Sequence, residues 1–346
     1  MPEEFFLLAH SLTLRENLRT FFHIKEGFII KTRRIFIALF MLSALLTASA
    51  HTEMVNVIDL GEGSYTSAGD KLINITGSKG ETILKALSVI PAGGTILISG
   101  DFKLPESINI KKPVTIKSIN GSVLDAQGKD RVIRCEGNGI ILENLTAING
   151  GNVGQGGGIN IDDASVDIIN CKVMNNNGGF IGGGVNIING SSVRLVNCEI
   201  SSNTTALNGG GICSGVFSFS GTNNVDVINC TITGNTANQG AGGGIFAIND
   251  TLTMTGTTIT GNTASQGGGL GLSNMKGANA YNCTISGNSP DDIKGKINID
   301  GTVYSAENPT SSESDSGSSS GGGCNASGLG LLSLAILFIR RKTHRV

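Results

Sequence analysis

The chain reads as an all-β protein, a single-stranded parallel β-helix of stacked coils, and three observations lead there. One unit recurs five times, two short markers run in phase inside it, and the composition is wrong for helices. Of 346 residues 51 are Gly, only 5% are aromatic, 15% are charged and none is Trp. Gly and β-branched residues form helices poorly. The glycine follows no G-X-Y period, which excludes collagen, and a 39% hydrophobic content excludes wholesale disorder.

The first marker is Asn170-Cys171-Lys-Val173-Met-Asn-Asn176, matched at Asn197-Cys198-Glu-Ile200 through Asn203 and at Asn229-Cys230-Thr-Ile232 through Asn235. It returns at Gly256-Thr257-Thr-Ile259 through Asn262 and at Asn282-Cys283-Thr-Ile285 through Asn288. The Cys/Thr position recurs at intervals of 27, 32, 27 and 26 residues. The second marker is a triple glycine before an aliphatic residue: Gly156–Ile159, Gly182–Val185, Gly209–Ile212, Gly242–Ile245 and Gly267–Leu270. Self-similarity at this period means a solenoid. Segments such as Ser192–Val196 are short, β-branched and alternating, so each repeat supplies strands. Equivalent strands of successive coils then pair in parallel at about 4.8 Å, and about nine coils make a stack on the order of 40 Å long.

Within each coil the pairs Cys171/Val173, Cys198/Ile200, Cys230/Ile232 and Cys283/Ile285 are spaced i, i+2 and share one strand face. Cys171, Cys198, Cys230 and Cys283 form one structural column, which Leu145 and Thr257 also occupy, so the site reads as a filler for a small buried side chain. A straight column without His offers no tetrahedral metal site. Neighbouring coils fall inside the disulfide Cα range, but parallel Cβ vectors fit the bond poorly, so Cys171–Cys198 and Cys198–Cys230 bonds stand as alternatives to free thiols. Asn176, Asn203, Asn235, Asn262 and Asn288 are expected to stack as an amide ladder, because Asn tolerates left-handed backbone and its amides can bond along a column. Triple glycines permit turns where a Cβ would clash.

The Gly-Gly-Gly-Ile and Thr-Ile-Thr-Gly-Asn-Thr-Ala repeats resemble right-handed parallel β-helix domains of bacterial surface proteins, including polymorphic outer-membrane-protein-like and autotransporter-passenger-like repeats. Thr82–Ser88, Gly94–Ile98, Val114–Lys117, Val123–Ala126 and Gly139–Leu145 resemble the opening coils of pectate-lyase-like β-helices. The resemblance spans roughly residues 80–300 and implies the right hand of the coil. Thr82–Ser88 is expected to be a short helix covering the open N-terminal end of the stack.

The two ends give an address. Lys31-Thr-Arg-Arg34, the apolar run Ile35–Leu46 and Ala48-Ser-Ala50 are the three parts of a secretory signal peptide, predicting residues 1–50 as a signal with an over-long n-region, cleaved after Ala50. Residues 51–79 are a lead-in, 80–304 the parallel β-helix, and 305–323 a Ser/Gly-rich linker. Residues 324–346 carry Cys324, an apolar segment at 326–339 and a basic end. This order resembles a Synerg-CTERM-like C-terminal sorting signal. It implies a membrane partner for a transmembrane sorting helix, a processing protease, and Cys324 as the modification or cleavage point. The expected location is the cell envelope, membrane-anchored or at the cell surface.

The formal charge of −2 hides a basic first 34 residues and a basic tail, leaving 15 basic and 23 acidic side chains between them. That body has no electrostatic footprint for nucleic acid. Chemistry is scarce. No His lies between Thr52 and Thr343, and only Lys172, Arg194 and Lys276 are cationic between Gly137 and Pro290. Glycoside hydrolysis needs two carboxylates on one sugar bond, and lyases of this fold need carboxylate-held Ca2+ with a basic residue. Asp162 and Asp163, near Asp167, are the sole acidic candidates within the clear repeats, for catalysis or for Ca2+. Otherwise no cofactor or metal is expected. The reading leans to a non-enzymatic surface protein for adhesion, taking a surface glycan or a host or cell-surface ligand. The alternative is a polysaccharide-active lyase or hydrolase. The even coils have one clear insertion, around Cys213–Ser220, where Phe217 and Phe219 read as core packing first and as an aromatic contact second.

Overall fold

Alternating burial along short β-branched strands is what stacks this chain. In Ser192–Val196 the side chains of Val193 and Leu195 are buried and those between face outward. The same alternation repeats one coil earlier in Ser165–Ile169 and one coil later in Asn224–Ile228. The computed structural model describes residues 57–306 apart from 62, 63, 68 and 152. The signal peptide, all but the first two residues of the linker, Cys324 and the apolar segment 326–339 lie outside the described residues. Among the described residues no helix is long and apolar enough to cross a membrane.

The fold is an all-β parallel solenoid of about nine turns. Each regular coil runs through three strands, and each strand joins its counterparts in a lengthwise sheet. Sheet A runs from Leu72–Thr76 and Gly94–Ser99 through Val114–Ser118, Ile140–Glu143, Ser165–Ile169, Ser192–Val196, Asn224–Ile228 and Thr251–Thr255 to Gly277–Tyr281. Its register is constant, so Ile168, Leu195, Val227, Met254 and Ala280 form one inward column. Sheet B runs from Phe102–Lys103 to Thr284–Ser286, stacking Ala147, Val173, Ile200, Ile232, Ile259 and Ile285. Sheet C runs from Ile108–Ile110 through Ile159–Asp162, Val185–Ile188 and Ile212–Ser214 to Leu270–Ser273. The inward columns merge into one core along the axis. Each fully buried aliphatic side chain in it contributes about 1.5–3 kcal/mol.

The turn from sheet A to sheet B is one left-handed residue. Asn144, Asn170, Asn197, Asn229 and Asn282 hold it with φ between 52° and 56°, and Gly256 takes the same place. Few residues other than Asn and Gly tolerate that region, which is why the repeat opens on Asn. The helix Gly80–Val89 follows the first strand of sheet A and buries Thr82, Ile83, Ala86 and Leu87 over the first coils. Parallel pairing begins with Leu72–Thr76 against Gly94–Ser99, so stacking already operates inside the 51–79 segment read as a lead-in. The last coil departs from the rest. Ile293–Ile299 closes sheets C and A, then folds back antiparallel onto Thr302–Ala306.

Candidate functional site

The conspicuous side-chain columns of the sequence point inward. Asn176, Asn203, Asn235 and Asn262 are buried, and Asn288 lies half-buried at the far end. The amide Nδ2 of Asn176 donates to Oδ1 of Asn203 at 3.0 Å, Asn203 to Asn235 at 3.0 Å, Asn235 to Asn262 at 2.9 Å, and Asn262 to Asn288 at 2.9 Å. Each Oδ1 also accepts the backbone N–H of the preceding Asn, and each Nδ2 donates to a backbone carbonyl of the coil before. The column spends its polar capacity on itself and offers none to a ligand.

Cys171, Cys198 and Cys230 are buried in one file, with Leu145 before them, Thr257 after Cys230 and half-buried Cys283 at the end. The backbone N–H of Leu145 faces the sulfur of Cys171, that of Cys198 faces Cys230, and that of Cys230 faces the Thr257 hydroxyl. From Cys171 through Cys230 to Thr257 each coil supplies one small acceptor here, so Cys and Thr interchange, while Leu145 opens the file with an apolar filler. All six described cysteines are unbridged. Burial pushes the Cys171 thiol up to about 11 and raises Cys135 and Cys213 further. The neighbouring Cys230 thiol and burial raise Cys198. These shifts predict the reactivity. At mildly alkaline pH, with native protein, iodoacetamide should label Cys283 and spare Cys135, Cys171, Cys198 and Cys213; peptide mass spectrometry reads it. Thiols raised by folding favour the native state below their unfolded value near 9, so stability should fall as pH rises beyond that towards about 11.

A second polar file was not legible in the repeat. At the turn from sheet C to sheet A, Ser191 Oγ accepts the Ala164 N–H, Asn223 Oδ1 accepts the Ser191 N–H, and Asp250 Oδ1 accepts the Asn223 N–H. Asp250 is buried and also takes the Ser214 hydroxyl at 2.6 Å and the Asn223 amide at 2.9 Å on Oδ2. Three different residue types fill successive levels of one column, so no identity recurs for periodicity to detect.

The triple glycines explain another burial that strand alternation alone misplaces. Asn160, Asn186 and Cys213 sit at outward positions of sheet C yet are buried. The first glycine of each run, at positive φ, folds the chain back onto them. A Cβ on Gly182 would stand 2.7 Å from the Asn186 Cβ, and one on Gly209 2.5 Å from the Cys213 Cβ. Ile181, Cys213 and Val216, with Leu207, Phe217, Phe246 and Ile248 against them, form a small second core on this flank.

What remains outward is a polar row leading to an aromatic side chain. Lys111 pairs with Glu136 at 3.3 Å, Glu136 with Arg134 at 2.5 Å, and Arg134 with Asp162 at 3.6 Å. Asn189 donates to Asp162 at 2.6 Å and accepts the Phe219 N–H at 2.8 Å. Burial, with Arg134 beside it, lowers the pKa of nearby Arg131. The insertion loop is pinned a second time where the Asn189 N–H meets Ser218 Oγ at 2.7 Å. It holds Phe219 84% exposed, while Phe217 turns to the second core. Phe180 is also exposed, on the glycine-turn flank.

The acidic candidates are not brought together. Asp162 ends a sheet C strand, Asp163 is the left-handed corner residue at φ 48°, and Asp167 faces out of sheet A in a two-pronged pair with Arg194 at 3.1 and 3.0 Å. Among the described residues no three His, Cys, Asp or Glu side chains converge to hold a metal ion. Two adjoining shallow grooves of about 550 and 620 Å3 share Gln127, with Lys79, Lys103 and Asp101 along one and Asn149, Asn175 and Asn177 along the other. No known family, curated protein or solved structure matches this chain.

Proposed function

We propose that the chain is an exported, envelope-anchored right-handed β-helix of pectate-lyase-like type that serves adhesion or cell-surface interaction without catalysis. The observation that carries this reading is Phe219. It is the most exposed large apolar side chain of the described residues, and it stands on the insertion at Cys213–Ser220. Two side-chain hydrogen bonds hold that loop in place, so display of the ring costs little further ordering. Aromatic rings with adjacent amides and carboxylates suit a surface glycan or a host-surface ligand. The basic-apolar-small pattern of residues 31–50 and the Cys324-led tail support export, processing by a membrane protease and tethering through 326–339.

Two measurements test it. Fractionation with mass analysis of the mature protein should place it in the envelope, beginning after Ala50. Retention of the mature protein on immobilised acidic and neutral polysaccharides or on cells should fall about tenfold in Phe219→Ala, since a lost aromatic contact is worth about 0.5–1.5 kcal/mol. Depolymerisation of any of these polymers, with or without Ca2+, that disappears in the double variant Asp162→Ala/Asp163→Ala would overturn the proposal in favour of a polysaccharide-active enzyme.

A further inference from the structure

The two ends of the stack are not alike. At the N-terminal end the helix Gly80–Val89 covers the first coils with Ile83, Ala86 and Leu87. At the C-terminal end two strand edges are bare. Thr284–Ser286 pairs with Thr258–Thr260 on one side, and among the described residues no strand lies on its other side. Among the described residues Thr302–Ala306 pairs with Ile293–Ile299 alone. The core columns register the difference. Val173, Ile200, Ile232 and Ile259 are fully buried, whereas Ile285 and Cys283, next in the same files, are only half-buried. On the other bare strand Val303 is 60% exposed and Tyr304 45% exposed.

Such edges invite pairing, and proteins usually guard them with Lys, Pro or a bulge. Thr302-Val-Tyr-Ser-Ala306 has no charge, no Pro and no Gly. We infer that the C-terminal end of the solenoid is a self-association surface, on which a second copy of this chain docks through Thr302–Ala306. The chain immediately downstream is poorly suited to cover it, because residues 307–323 contain no Val, Leu, Ile, Met or aromatic side chain. A head-to-tail mate would set Thr302–Ala306 against the outer edge of Leu72–Thr76, which among the described residues pairs with Gly94–Ser99 only, and would grow as an open fibre. A two-fold arrangement, end against end, closes as a dimer, and it is the one inferred here. Antiparallel pairing of an uncharged strand with itself brings no like charges together, and β-branched and aromatic side chains such as Val303 and Tyr304 make favourable cross-strand pairs. The inference is independent of the adhesion reading and of Phe219.

The test is sedimentation velocity of the mature chain in mild detergent over a wide range of concentration, with hydrogen exchange on the same samples. A concentration-dependent dimer is expected, in which the amides of Thr284–Ser286 or Thr302–Ala306 exchange more slowly than in dilute protein. Val303→Lys and Tyr304→Lys should each weaken association about tenfold or more by setting like charges across the pairing. Both side chains are exposed, so thermal unfolding of dilute, monomeric protein should not move. A monomer at all concentrations would overturn the inference. So would a dimer that persists in both lysine variants with these amides unprotected, as association through the apolar tail would give.

Discussion

Gly183→Ala should destabilise the stack by about 4 kcal/mol, the largest loss expected of any single substitution here. A Cβ there would lie 2.4 Å from the carbonyl oxygen of Gly210 and 2.7 and 2.8 Å from the oxygen and nitrogen of Thr204. These are backbone atoms of the next coil, already bonded through Gly183 N to Gly209 O at 3.1 Å. No rotamer can relieve the clash, so the spacing between coils must open and adjacent ladder bonds must lengthen. Overpacking costs about 1–3 kcal/mol and each weakened bond about 1 kcal/mol, for a total of about 4 kcal/mol. That is a large fraction of the about 5–15 kcal/mol that holds a folded protein together. Urea unfolding followed by circular dichroism reads it. Gly287→Ala is the control: its φ is +67° and nothing lies within 4 Å of the added Cβ, so it should cost only the left-handed penalty of about 1–2 kcal/mol. Equal effects of the two substitutions would show that contact between coils is not what the triple glycine serves.

Asn203→Ala should be nearly as severe, for a different reason. Its Oδ1 accepts from the backbone N–H and the side-chain amide of Asn176, and its Nδ2 donates to Val173 O at 2.8 Å and to Asn235 at 3.0 Å. Removal leaves the Asn176 N–H and the Val173 carbonyl short of a partner inside a dry column, and each buried orphan costs about 1–3 kcal/mol. A total of about 3 kcal/mol is expected. Asn288→Ala removes the same kind of group where the column is half-buried and Asp292 is a neighbour, so water replaces part of what is lost. The loss there should be under half of that at Asn203. A flat profile along the ladder would show that burial does not set its strength.

The columns that recur by residue type were legible before any coordinates. Asn at the end of each marker, Cys or Thr after the corner, and triple glycine ahead of an aliphatic strand all mark positions where one geometry demands one kind of side chain. Repetition in space then becomes repetition in sequence. The insertion at Cys213–Ser220 was legible for the complementary reason, because it breaks the pattern, whereas the helix near Thr82–Ser88 was expected from the resemblance of the opening coils and the need to cover an open edge. The surface was much less so. Asp162, Asp163 and Asp167 look like a cluster in sequence, but Asp163 is itself the corner between the strands that carry the other two, and the coil sends them to different faces.

Alone, the sequence determined that the chain stacks in parallel coils and which side chains fill the files between them. Only the tertiary structure decided how the glycine turns fold back to bury Asn186 and Cys213, which unlike residues share the Ser191–Asn223–Asp250 file, and that among the described residues the last coil leaves two strand edges unpaired. Periodicity encodes contacts between equivalent positions one repeat apart. Contacts between non-equivalent positions depend on the direction in which each turn sends the chain, and no repeat records that.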